Sequence, residues 1–445
     1  MNRPARPAVS TATPWHFPVP TTTRLPNGLN VWHFPMPGQH IATFELVLPA
    51  PLSAEPADRE GLATVALHTI DEGTTAHPDG RIGELLEGHG CTLHGTARYR
   101  YTTFGGQAPS RRLGDVLPLF AEVLTDPTYA ERDLAHHVEA QVAGFDSLLA
   151  SPRQAMRLAL RRALFGEAHR EGRPGAGTPA TLGAITRADA VAWHAAHFTP
   201  GHASLVVAGA VDLDDVLAGL DGWFPDSPAV VAPAAVPPQP RRVLVVDQPG
   251  SVQATATIAT RTVTRDDPHW PALRLAGHSI AGAFASRLNL ELRERLGYTY
   301  GIGGGFSPGV DEGQFAVSGS FRSEVAGDAV ARLLAGLALD EAFTPAEISD
   351  SCAFLVGVAP LANETSADIV AQGSALAAAG LGPDYLPDHF SRLAAVTAEE
   401  ATDAFRAAVA PDATAIAIAG DAATLLPQLA ALGLDAEVVD LSAGA

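Results

Sequence analysis

Apolar residues three or four apart predict a series of helices along the chain. Glu60 to Ile70 carries Leu62, Val65, Ala66 and Thr69 on one face and ends at Asp71-Glu72-Gly73-Thr74. The same period predicts helices over Arg81 to Glu87, Leu113 to Leu124, Glu131 to Leu149, Arg153 to Leu164 and Arg187 to His197. Alternating or unbroken apolar runs predict strands at Ile41 to Leu48, Tyr99 to Gly105 and Ala203 to Gly209, and Pro26-Asn27-Gly28 reads as a turn between extended runs. Ser286 to Arg295 sets Leu288, Leu292 and Leu296 at four-residue spacing, and Gly297 stops that helix. The alternation that follows predicts a strand carrying Tyr300 back past the helix end, where Arg293 sits.

The pattern occurs twice. His68-Thr69-Ile70 matches His278-Ser279-Ile280 at an offset of 210, and Leu182, Thr186, Pro200 and Ala208-Gly209 match Leu393, Thr397, Pro411 and Ala419-Gly420 at 211. The chain is read as an internal duplication with halves at 21–224 and 242–445. Residues 1–20, rich in Pro and Thr, read as a loosely held arm, and 225–241, rich in Pro and Ala without a period, as a semi-rigid linker. Strands and helices mix in each half without strict alternation, so the predicted class is α+β, with mixed sheets and two halves closing as a clam shell around a cavity.

Composition narrows the function. A chain of 445 residues exceeds one hydrophobic core, and 47% hydrophobic residues give ample material for folding. No apolar run reaches the ~18 residues of a membrane span. The stretch Met1 to Pro7 lacks the apolar core of a secretory signal, so the expected location is cytoplasmic. A net charge of −20 disfavours nucleic acid and anionic membranes and favours a basic partner. All 29 basic residues are Arg. Cys91 and Cys352 have no ligand-like spacing and read as small buried hydrophobes.

The stretch Ala281 to Leu288 together with Leu292 to Tyr300 resembles the arginine/tyrosine segment in the C-terminal half of the pitrilysin-type zinc peptidases, family M16, which includes the mitochondrial processing peptidase and its bacterial relatives. Leu25 to Leu29, Leu164 to Gly166, Gly177-Thr178 and the two Pro…Ala-Gly strand signals extend the resemblance over residues 20 to 425. It implies duplicated halves of the family's clam-shell type. An active member has His-x-x-Glu-His on a helix of its first half, where two His bind Zn²⁺, Glu takes a proton from the metal-bound water, and a later Glu completes three ligands. Here the matching helix has Thr64 for the first His, Leu67 for the base and His68 for the second His, and counting back from Pro152 puts Gly144 at the distal Glu. Two ligands and the base are missing, so this chain is expected to bind no zinc, and His68 reads as a satisfied, partly buried histidine. A substitute site from Asp71, Glu72 or Glu139 lacks any fixed geometry.

His194 with His197, His136 with His137, and His89 with His94 around Cys91 read as surface or capping histidines. The run Gly301 to Gly305 lacks the Lys and Ser/Thr of a phosphate loop and reads as a flexible loop beside a strand. The resemblance extends to bacterial heterodimers in which one subunit keeps the zinc motif and the other keeps Arg and Tyr. It implies that Arg293 and Tyr300 act in trans at the partner's zinc site, Tyr300 on the oxyanion and Arg293 on a substrate carbonyl or the same charge, with Gly282 admitting the peptide. The expected partner is a homologous subunit with an intact His-x-x-Glu-His. Two other readings stand beside this one: a structural M16 relative without a role in proteolysis, and a self-sufficient enzyme with an unrecognised site.

Overall fold

The apolar run Ser204–Gly209 forms a strand in which every residue is buried, and the first sheet is built around it. The computed structural model describes residues 15–218 and 240–441. In the first half the strands are β1 (Thr21–Arg24), β2 (Asn30–Pro35), β3 (Ile41–Leu48), β4 (Thr92–Ala97), β5 (Thr102–Pro109) and β6 (Ser204–Gly209), arranged β1-β2-β6-β3-β5-β4. β6 runs parallel to β2 and antiparallel to β3. The second half has β7 (Val243–Asp247), β8 (Gln253–Thr262), β9 (Ile302–Ser307), β10 (Gly313–Arg322), β11 (Ala415–Gly420) and β12 (Ala436–Val438), arranged β12-β7-β11-β8-β10-β9.

Apart from the edge strands β1 and β12, the two sheets trace one path. Counterpart strands begin 210 to 213 residues apart, as Ser204 and Ala415 show at 211. The local chemistry repeats with the topology. Thr186 and Thr397 both cap helices, accepting the backbone N–H of Asp189 and Glu400, whose carboxylates bond back to the cap. The duplication read from the sequence is therefore structural, and the fold is a mixed α/β architecture of two similar halves.

Each half lends a helix to the other's sheet. Pro152–Phe165, from the first half, buries Met156, Leu158, Leu160, Leu164 and Phe165 against Leu244, Val246, Ala417 and Ala419 of the second sheet. Its counterpart Ser366–Ala378 packs Ile369, Val370 and Leu376 against Trp32, Phe34, Val206 and Ala208 of the first. The Ser366 hydroxyl bonds Thr43 Oγ1 and the Ile41 carbonyl, each at 2.9 Å. Gly373 is required there, since a Cβ would stand 2.8 Å from Val206 Cγ1. At about 1.5–3 kcal/mol per fully buried large side chain, separating these helices from their sheets exceeds the stability of an ordinary domain. The halves are expected to unfold together.

Four sequence expectations change. Residues 15–20 are anchored, not loose, because Phe17 is 1% exposed and Trp15 meets Phe390 edge to face at 6.0 Å. The strand expected from Tyr99 begins at Thr102, after a hairpin from β4, which the sequence hid behind its half-polar pattern. The glycine-rich run is itself strand β9, at the sheet edge, where a Cβ on Gly304 would stand 2.4 Å from the Ala316 carbonyl. The helix Ser286 to Arg295 starts as an α-helix and continues as a π-helix over Leu290–Arg295. Most of the expected linker, 225–239, lies outside the described residues, as do residues 1–14 of the arm. No described helix is long and apolar enough to cross a membrane.

Candidate functional site

Leu288 and Leu292 face the second core, 2% and 0% exposed, and Arg293 beside them is half-buried. The π-helical winding is visible in the Leu296 N–H bonding the Glu291 carbonyl at 3.1 Å. Gly297, at φ +64°, ends the helix as read from the sequence, and the Tyr298 N–H closes on the Leu292 carbonyl at 2.9 Å. Tyr298 is held by a hydrogen bond to Asp328 that raises its pKa. Thr299 Oγ1 donates to the Gly301 carbonyl at 3.0 Å and accepts the Gly301 N–H at 3.2 Å, fixing the turn that presents Tyr300. Tyr300 is 98% exposed.

The Arg293 guanidinium lies over the ring of Phe284, Cζ 3.7 Å from the centroid, with Glu294 Oε1 3.3 Å from Nη2. Phe284 is itself 74% exposed, so the pair is presented at the surface. Arg293 and Tyr300 therefore occupy one helix-turn-strand corner, but Tyr300 contacts neither Arg293 nor any other described side chain. Gly282 ends the π-helix His278–Gly282, and a Cβ there would stand 3.3 Å from the Gly304 carbonyl and from His278 Cδ2. The close approach that glycine permits is to this chain's own β9.

Sequence reasoning missed two residues of this corner. Asn289 is 4% exposed; its amide donates to the carbonyls of Ile302 (2.9 Å) and Ala283 (3.0 Å), and its Oδ1 accepts the Ile302 N–H (2.7 Å). It ties the loop before the helix to the strand after it. The signal was a lone amide beside Leu288 on an apolar face. Phe284, an aromatic flanked by alanines in a loop of small residues, was the other.

The degenerate metal face lies between the helices Leu62–Thr69 and Glu131–Ala150. His68 Nδ1 meets Gln141 Nε2 at 3.3 Å, and Glu72 Oε1 meets His137 Nε2 at 2.7 Å. A step of four forward on one side matches four backward on the other, so the segments run antiparallel. Carried on by the same step of four, this pairing sets Thr64 opposite Phe145, one residue beyond the Gly144 counted back from Pro152. A Cβ on Gly144 meets nothing within 4 Å. Leu67 is 2% exposed and packs so closely on β4 that a Cβ on Gly95 would stand 2.9 Å from it.

His68 keeps an exposed surface where a partly buried ring was expected, yet desolvation of the ring between the helices, and then His137, lower its pKa. Glu72 is taken by His137, and burial pushes Asp71 up to about 6. Among the described residues no three His, Cys, Asp or Glu side chains converge as a metal site. One imidazole with Thr64, Leu67 and Gly144 does not fit the three protein ligands of a catalytic zinc. His194 bonds the Leu124 carbonyl at 2.9 Å and His197 packs on Trp193 at 3.9 Å, both with pKa values lowered by burial, which are structural duties. Cys91 is buried and Cys352 half-buried, both free.

Comparisons with known proteins follow these elements. Residues 36–173 match the family model described as insulinase (peptidase family M16), and residues 184–351 match the model described as the peptidase M16 inactive domain. A Mycobacterium tuberculosis protein named an uncharacterized zinc protease is 27% identical over 330 residues, covering 71% of each chain. The crystal structure of a peptidase M16 inactive domain from Pseudomonas fluorescens superposes with a TM-score of 0.83 at 25% identity, over 90% of this chain and 98% of that one. A protease from Helicobacter pylori superposes at 0.81 with 16% identity, over 91% and 100%, a likeness of fold.

Proposed function

The chain belongs to peptidase family M16, and on that premise we propose that it is the zinc-motif-deficient subunit of a heterodimeric metalloendopeptidase, presenting Arg293 and Tyr300 to its partner's site. The observation that carries this reading is the exposure of Tyr300, with the half-buried Arg293 held at the same corner. Tyr300, 98% exposed, is held out by a turn of its own, and Arg293 is stacked on an exposed ring, in a chain whose own metal face is Thr64, Leu67, His68 and Gly144. A fully exposed tyrosine on a rigid, hydrogen-bonded corner gains nothing for folding, so its use lies with something that docks there.

The partner would be a homologous subunit with an intact His-x-x-Glu-His, and its zinc would supply an activated water. This chain's residues act on the substrate. The Tyr300 hydroxyl donates a hydrogen bond to the oxygen on which charge develops when the peptide carbonyl is attacked, an interaction strongest in the transition state. Arg293, permanently charged, fixes a substrate carbonyl or shares the same charge. Asn289 and Phe284 are positioning residues for this pair. In this reading the substrate class is an extended peptide and the complex works in the cytoplasm.

The test is cleavage of a quenched peptide library by this chain, by a zinc-motif homologue, and by the two mixed, with Arg293→Ala and Tyr300→Phe versions alongside. Activity confined to the mixture, and lost with either substitution while the complex persists, is the expected result. A homologue fully active alone and indifferent to this chain leaves a structural or binding role without proteolysis.

A further inference from the structure

A separate group of cations in the second half lacks counter-ions among the described residues. Arg265 follows β8, and Arg274 lies on the helix Trp270–Gly277; both are half-buried. Among the described residues neither guanidinium has a carboxylate or hydrogen-bond partner. The acids of the adjoining loop are engaged elsewhere, Asp266 by Thr264 and Asp267 by His269 at 3.0 Å. Arg392, on the helix Tyr385–Ala395, donates to the Pro268 carbonyl at 2.6 Å and stands exposed at the rim.

The rings between them complete the group. Tyr385 donates to the Arg265 carbonyl at 2.6 Å and lies within electrostatic reach of all three arginines. His389 stacks on Tyr385 at 5.7 Å and is 2% exposed, yet among the described residues neither ring nitrogen has a partner. It too lies in the field of all three guanidinium groups. Tyr101 of the first half, on the β4–β5 hairpin, lies within electrostatic reach of Arg265.

A half-buried guanidinium without a counter-charge is destabilising, and two that repel each other are more so. Burial and Arg265 both lower the pKa of Arg274. In a chain of net charge −20, with acids far outnumbering arginines, leaving these cations unpaired is the opposite of what composition favours. An arriving anion would gain the charge-assisted bonds that no carboxylate among the described residues supplies, and the planar fork of Arg suits a two-oxygen acceptor. By the repeat offset of 210, Arg274 and His278 occupy in the second half the places of Thr64 and His68 in the first.

We propose that Arg265, Arg274 and Arg392, with Tyr385 and His389, form an oxyanion-binding site, filled by the terminal carboxylate of a peptide or by free phosphate. The site is independent of Arg293 and Tyr300 and does not require a partner subunit.

The test is thermal unfolding of the full chain with inorganic phosphate, with a short peptide free acid, and with its C-terminal amide, against chloride at matched ionic strength. Arg265→Gln, Arg274→Gln and, as a distant control, Arg81→Gln are run in parallel. The expected result is a saturable rise in melting temperature with phosphate or the free acid, kept by Arg81→Gln. Arg265→Gln and Arg274→Gln should weaken binding about tenfold or more, as the loss of one charge-assisted bond implies. Without ligand both should melt no lower than the parent, because each removes an uncompensated charge. Loss of the effect in the amide assigns the peptide carboxylate, and a response to phosphate alone assigns the free ion. No rise with either ligand, or an equal rise in all variants, overturns the site.

Discussion

Asn289 takes both backbone groups of Ile302, donating to its carbonyl at 2.9 Å and accepting its N–H at 2.7 Å, as a neighbouring strand would. That side chain fixes where β9 starts and hence where Tyr300, two residues earlier, leaves the surface. Asn289→Ala leaves these groups and the Ala283 carbonyl without their buried partner, and is expected to cost on the order of 3 kcal/mol. Urea unfolding gives the loss, and hydrogen exchange at the Ile302 amide should accelerate more than at β11. Unchanged exchange there would remove the positioning role.

Tyr300→Phe should separate folding from function. The side chain is 98% exposed and bonds nothing among the described residues, so unfolding should change by less than about 0.5 kcal/mol. In the mixed enzyme kcat should fall about 10²-fold or more with KM little altered, as for loss of one transition-state donor. A rise in KM at constant kcat would mean that Tyr300 binds substrate uniformly and does not stabilise the oxyanion.

The elements were legible where periodicity was strong, and the duplication was legible because matching residues do matching work, as the caps Thr186 and Thr397 show. The exchange of Pro152–Phe165 and Ser366–Ala378 was not, since an amphipathic helix does not say which sheet receives it. Strand β4 was hidden because Leu93 and Ala97 are its only apolar residues, one at each end of a polar run, and β9 by glycines that close strand packing requires. Arg293 and Tyr300 were visible through resemblance. Phe284, and Arg265 and Arg274 with no partner among the described residues, became visible only in the folded chain, because what marks them is a contact made or missing.

The reversed pairing of His68 with Gln141 and Glu72 with His137 carries Thr64 to the Gly144–Phe145 step of the facing helix, and a Cβ at Gly144 meets nothing within 4 Å. Thr64→His combined with Gly144→Glu should therefore complete three ligands with His68. Equilibrium dialysis is expected to show zinc held at least about tenfold more tightly by the double variant than by either single one. Equal affinities would show that the two helices do not lie in the register of a metal site. Peptidase activity is not expected, because Leu67 still fills the place of the base.

His389 should make the fold acid-sensitive. Burial, then the charges of Arg274, Arg265 and Arg392, push its pKa from 6.5 down to about 3, so the folded state holds the ring neutral. Between those values the unfolded chain binds a proton that the folded chain refuses. Stability from this group is thus full above 6.5 and is lost as pH falls toward about 3. The slope is at most ~1.4 kcal/mol per pH unit, and the total is on the order of several kcal/mol. Urea unfolding of the parent and of His389→Leu at pH steps through this range measures it. The variant should lose less stability per unit of acidification. Parallel profiles for the two proteins would mean that His389 is protonated in the folded state.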